Sequence, residues 1–188
     1  MTEQKARDVS VIEFIRTVLI SDISRLIYDC KLYYLSFGVI AQGIEFLGSC
    51  LDELPFDDPT QAEKRFQRAI RRLFKPCNNA YIKYNSPKAE YYLYRDLRCG
   101  LIHMVRPKNR VVLTSRAESL EDHTRHLANH GDKLVLVAED FFDDLKRASQ
   151  SVIWKIENDK LTNRKTKETY IRVYEINNDE KGKGGNTL

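Results

Sequence analysis

At 188 residues with 42% apolar side chains, the chain has the length of one domain and enough apolar mass to fill a core of its own. A net charge of +4 is mild, so any attraction to a polyanion has to come from a local patch. The four cysteines, Cys30, Cys50, Cys77 and Cys99, form no Cys-x-x-Cys pair, which argues against a zinc knuckle or a secreted disulfide framework and for reduced, mostly buried thiols. No apolar segment of signal-peptide type opens the chain. The most apolar run, Leu32 to Leu47, is interrupted by Gln42 and Glu45 and falls short of the ~20 residues of a membrane span. A soluble, cytoplasmic protein with no membrane partner is expected.

In chain order, Ile12, Ile15, Leu19, Ile23, Leu26 and Cys30 repeat near helical period and predict a first helix over Val9 to Cys30. A second helix, from Leu32 to Leu54, is apolar on nearly all sides and is expected at the centre, with Gly38, Gly43 and Gly48 permitting close backbone approach. Pro55 and Pro59 break it. Thr60-Gln61-Ala62-Glu63 reads as a capping box opening a third helix with Phe66, Ile70, Leu73, Cys77 and Tyr81 on one face and a kink at Pro76. Ser86-Pro87 supplies an N-cap and a first-turn proline for a fourth helix, which turns Tyr94, Leu97, Leu101 and Met104 inward and ends near Arg106. Two β-branched runs, Arg110 to Ser115 and Lys133 to Ala138, are expected to pair as strands. Asp140 then caps a fifth helix with Phe141, Leu145, Ala148, Val152 and Ile156 inward. The expected architecture is mainly α: a four-to-five-helix up-down bundle with a small two- or three-stranded β appendage. It forms a single domain over residues 1–158 with a β-hairpin insertion around 110–138. Residues 159–188 form a C-terminal extension with at most one strand, Tyr170 to Ile176, and a disordered tail from Asp179.

Arg98-Cys99-Gly100-Leu101-Ile102-His103 places an arginine and a histidine five apart near the end of the fourth helix. The same spacing recurs at Arg125 to His130, in a hydrophilic stretch with no apolar framework around it. One turn either side of Arg98 stand Tyr94, Arg95, Leu101 and Ile102, so no carboxylate on its own helix pairs with it. Its anion is either an acid distant in sequence or a phosphate, which Arg95 beside it would favour. His103, in the last turn, is alternatively only a stabiliser of the helix end.

Helices closing on Arg-x-x-x-x-His resemble the HEPN superfamily over residues 9–107, and LYRDLRCGLIH (Leu93 to His103) looks like its signature helix. Many members are ribonucleases of toxin-antitoxin, abortive-infection and CRISPR-linked defence systems. The resemblance puts the family's catalytic pair on Arg98 and His103, implies a homodimer with a shared cleft, and leaves room for an antitoxin protein. Cys99 stands where many active members carry Asn, Asp or His, and Val105 where one subfamily has Tyr. The implied chemistry is metal-independent RNA cleavage. The imidazole moves a proton at the 2′-hydroxyl or the leaving 5′-oxygen while Arg98 holds the phosphorane, giving a 2′,3′-cyclic phosphate and needing no cofactor. Residues five apart lie ~140° apart around a helix, which favours a site composed from two protomers. The alternative is a catalytically silent HEPN-like module for dimerisation or for binding RNA or a partner.

For substrate grip, Arg95 and Cys99 flank the pair. Lys64, Arg65, Arg68, Arg71, Arg72 and Lys75 make a basic strip on the third helix, which reads equally as a solvated face. Tyr81, Tyr84, Tyr91 and Tyr92 stand as base-stacking platforms or as core. His123, His126 and His130 share one helical face if their segment is a helix, the arrangement that offers imidazoles to zinc. With no fourth ligand evident, no metal site is assigned.

Overall fold

The computed structural model describes residues 5–161 and 163–175, so the tail expected from Asp179 lies outside the described residues. The fold is mainly helical with two small sheets. Its first rod runs from α1 (Val11–Phe14) through a π-helical stretch (Ile15–Asp22) into α2 (Ile23–Tyr28). Ser10 caps it, its side chain accepting from the Glu13 amide at 3.2 Å. Val11, Ile15, Leu19, Ile23 and Ile27 are all buried. Four-residue steps overshoot a 3.6-residue turn by ~40° each, and the wider π turns absorb that overshoot so that the five line one face.

The apolar helix α3 (Tyr33–Ser49) packs against α2, α4 (Ala62–Ala69), α5 (Cys99–Met104) and α7 (Ala138–Glu157), which makes it the centre of the fold. It ends at Ser49 and not at Leu54, because the chain beyond it wraps the buried guanidinium of Arg65. That side chain meets Asp52 at 3.0 Å and the carbonyls of Phe56 and Pro55 at 2.9 and 2.6 Å. Gly48 is where α3 and α4 touch: a Cβ there would stand 2.0 Å from the Arg65 carbonyl oxygen.

Several expected boundaries move. Asp58, not Thr60, caps the third helix by accepting from the Thr60 amide at 2.9 Å, and one 3-10 turn (Pro59–Gln61) leads into α4. The helix continues as a π stretch (Ile70–Phe74) and stops before Pro76, which breaks it where a kink was expected. Tyr81 therefore sits on a separate 3-10 segment (Asn79–Tyr84) capped by Asn78. Ser86-Pro87 opens no helix and lies in a turn. The helix carrying Arg98 begins with a π segment (Tyr94–Arg98), anchored where the Asp96 carboxylate accepts from the Tyr92 amide at 2.7 Å, and continues as α5. It ends at Val105, whose φ of 57° is left-handed.

Strands β1 (Lys5–Ser10) and β5 (Tyr170–Glu175) pair antiparallel. No strand is expected from the sequence at β1, which precedes the first helix with mostly polar residues. The two expected strands, β2 (Val111–Thr114) and β4 (Lys133–Val137), do pair, but in parallel. The hairpin is instead made by β3 (Ala128–His130) and β4 about Gly131, giving the order β2-β4-β3. Their connection holds α6 (Arg116–Glu121), opened by a capping box of Ser115 and Glu118. β4 runs straight into α7, whose N-cap is Val137; Asp140 lies in the first turn and pairs with Arg116 at 2.6 Å.

Candidate functional site

Arg98 closes the π segment and points toward α3, where its Nε stands 2.8 Å from Oε2 of Glu45. The two side chains are 17% and 23% exposed, and the guanidinium carbon lies 5.7 Å from the centre of the Tyr94 ring. The N–H does not aim at the carboxylate, so Nε and Oε2 are both sealed from water without an aligned hydrogen-bond partner. Both Nη groups of Arg98 are without a hydrogen-bond partner among the described residues. Gln42, Glu45, Phe46, Ser49, Phe56, Arg65 and Arg98 line one cavity of about 260 Å³ between α3, α4 and the helix carrying Arg98.

His103 does not line that cavity. It is exposed in the last turn of α5, and its neighbours Ile102, Met104 and Val105 are exposed too. The Tyr34 hydroxyl donates to the Val105 carbonyl at 2.7 Å and joins these residues to Leu32, Tyr34 and Leu35 at the start of α3, all three at least two-fifths exposed. His103 thus stands in an exposed apolar patch. Within one chain the structure puts Arg98 and His103 on one short helix but not in one cavity.

The expected substrate-binding residues divide. Arg72 is exposed on the strip with Lys64, Arg71 and Lys75. Arg68 is committed to Asp52 at 2.6 Å, and Arg65 is buried. Burial pushes the Asp52 carboxyl up, but the hydrogen bonds and charges of Arg65 and Lys165 outweigh it and hold Asp52 down at about 2. Arg95 is half exposed and pairs with Asp96 at 2.6 Å, while Cys99 is half-buried beside it. Tyr81, Tyr84, Tyr91 and Tyr92 are buried, so they are core and not stacking platforms. The Tyr91 hydroxyl donates to the Asp132 carbonyl at 2.6 Å and the Tyr92 hydroxyl to Glu63 at 2.7 Å.

The three clustered histidines do not share a helical face. His123 is left-handed past the end of α6, and His130 lies on β3. The His126 side chain is buried, its Nδ1 accepting from the Val137 amide at 3.0 Å and its Nε2 3.1 Å from the Tyr81 hydroxyl, which donates to Asp144 at 2.8 Å. Burial pulls His126 down to about 4 and pushes the Asp144 carboxyl up. The ring is a neutral structural brace. A cavity of about 490 Å³ opens beside it, lined by Arg116 and Arg147, which are held by Asp140, Asp143 and Asp144, and by Arg125, which makes no ion pair among the described residues. Among the described residues no His, Cys, Asp or Glu group is placed to hold a metal ion.

Glu45 is a site residue that sequence reasoning overlooks, although its signal is legible: a lone carboxylate in the most apolar helix has to meet a cation. Comparisons with protein-family models, with curated proteins and with solved structures return no match for this chain. No helix among the described residues is long and apolar enough to cross a membrane.

Proposed function

We propose that the chain is a HEPN-like up-down helical bundle that cleaves RNA without metal, acting in the cytoplasm as a toxin or phage-defence effector under the control of an antitoxin protein. One observation carries this reading. Arg98, ion-paired to Glu45 through Nε, lines a cavity, and its short helix also presents His103 to solvent beside exposed Ile102, Met104 and Val105. A second copy docked on these residues by a two-fold axis would bring two such helices together, the arrangement that a pair ~140° apart on one helix requires. The Nη groups would hold the phosphorane charge, and imidazole would move the proton at the 2′-hydroxyl or the 5′-oxygen. Exposed Arg72 and its neighbours would track the backbone.

The Glu45 contact favours a second reading, a catalytically silent dimerisation or binding module, since it already partly neutralises Arg98. Incubating total RNA with the protein and with Arg98→Ala and His103→Ala in EDTA, with folding checked by circular dichroism, separates the two. The ribonuclease reading expects cleavage by wild type that each folded variant loses by ~10²-fold or more. Absence of cleavage by the wild-type protein would leave the silent module.

A further inference from the structure

We infer that the outer face of the three-stranded sheet binds a guanine nucleotide, free or as one guanosine of an RNA, with Asp122 reading the base and Lys133 and His130 holding the phosphate. The inference goes beyond the ribonuclease reading and does not depend on it.

The site follows from strand alternation. On β2 and β4 the side chains of Val111, Leu134 and Leu136 join the main core, so Val112, Thr114, Lys133 and Val135 stand on the opposite face. Asp122 and Thr124, from the chain between α6 and β3, complete a cavity of about 300 Å³ with them and with His130. That size is at the lower end of what encloses a small molecule.

Its polar lining divides into groups already held and groups that are not. Thr114 donates to Glu118 at 2.9 Å and the Thr124 amide donates to the Ser119 carbonyl at 2.9 Å, which fixes two of the walls. The exposed side chains of Asp122, His130 and Lys133 make no hydrogen bond or ion pair among the described residues, although all three line this one cavity. His130 and Lys133 are partners across β3 and β4, so their side chains stand together on one face. An ammonium beside a ring N–H suits an anion with several oxygens, as a phosphate has. Asp122 arrives from another element and brings a carboxylate that calls for N–H donors.

A guanine nucleotide meets both demands. Its Watson–Crick edge carries N1–H and N2–H next to each other, and one carboxylate accepts from both. Adenine and cytosine place a ring-nitrogen acceptor beside their amino group, and uracil flanks its N–H with carbonyls, so each sets a lone pair against the carboxylate. The apolar faces of the ring suit Val112 and Val135, and the phosphate goes to Lys133 and His130.

The test is isothermal titration calorimetry of the whole chain with the monophosphates GMP, IMP and AMP, with guanosine, and with two 2′-O-methyl pentanucleotides, one holding a single G and one none. The methyl groups block cleavage, so binding is read whether or not the protein cuts RNA. The guanine probes are expected to bind ~10-fold or more tightly than their guanine-free counterparts, with IMP, which lacks only the 2-amino group, between GMP and AMP. Asp122→Asn should remove most of the gap between GMP and IMP. Joint replacement by Lys133→Ala and His130→Ala should weaken GMP ~10-fold and leave guanosine unchanged. Whichever of GMP and the G-containing pentanucleotide binds more tightly identifies the source of the nucleotide. Guanine and adenine probes bound alike, a folded Asp122→Asn that keeps the full preference for guanine, or no heat from either guanine probe at ~5 mM overturns the site.

Discussion

An imidazole sealed under β4 is kept neutral by its surroundings, and that couples the fold to pH. His126 sits at about 4 in the folded protein because burial opposes its charge, whereas an unfolded histidine titrates near ~6.5. Between those values the unfolded chain binds the proton that the folded chain refuses. The stabilisation is therefore complete above ~6.5 and is lost as pH falls through about 4, by roughly 2–4 kcal/mol. Urea unfolding from pH 7 to 4 should show this decline, and His126→Gln, less stable at pH 7, should flatten it. A variant as steep as wild type would show that other groups carry the acid sensitivity. Asp52, held at about 2 by Arg65 and Lys165 against its own burial, loses its contribution only at lower pH, as protonation proceeds from the usual carboxylate range down through about 2. Neither role is legible in the local sequence. His126 stands in a polar stretch, and only the crossing of β4, the 79–84 segment and α7 gives its two nitrogens their partners.

For the helices, spacing locates the apolar faces and sequence punctuation locates the ends less well. The first rod keeps its four-residue apolar repeat by adopting π turns, and α3 is central as its all-round apolarity implies. Ser86-Pro87 misleads because an N-cap and a first-turn proline only permit a helix. What starts the helix carrying Arg98 is the Asp96 carboxylate folding back on the Tyr92 amide, a contact within the segment that the pattern of apolar residues does not encode. Glycines in α3 also differ in ways spacing does not separate. Gly48 meets the α4 backbone, so Gly48→Ala should force the two helices apart and cost about 3 kcal/mol or more. A methyl group at Gly38 would meet nothing within 4 Å, so Gly38→Ala should stabilise by about 0.5–1 kcal/mol through helix propensity alone. Thermal unfolding of both variants checks the pair, and equal shifts would contradict the packing difference.

At the level of the whole molecule, Ile102, Met104 and Val105, next to His103 in the chain, are exposed, as are Leu32, Tyr34 and Leu35 at the start of α3, tied to them by the Tyr34–Val105 hydrogen bond. Exposed apolar residues of this kind are what a protein interface covers, and the proposed two-fold dimer would use them. Light scattering on the eluting protein should report twice the 22.0 kDa chain mass, and Leu35→Glu with Val105→Glu should return it to one. A wild-type monomer at ~100 µM, where even weak interfaces are filled, would dismiss this dimer.

Sequence alone determined the helical class, the central place of α3, the two strands of β2 and β4, and the singling out of Arg98 and His103, because all of these are written in local periodicity and spacing. Tertiary structure decided the rest. It paired β2 with β4 in parallel, since register and direction depend on where the connection travels. It buried the four tyrosines and His126, whose polar tips find partners only across the fold. It also answered what Arg98 faces: no residue one turn away on its own helix carries an anion, Asp96 is taken by Arg95, and the carboxylate that meets Arg98 comes from α3, 53 residues earlier in the chain (98 minus 45).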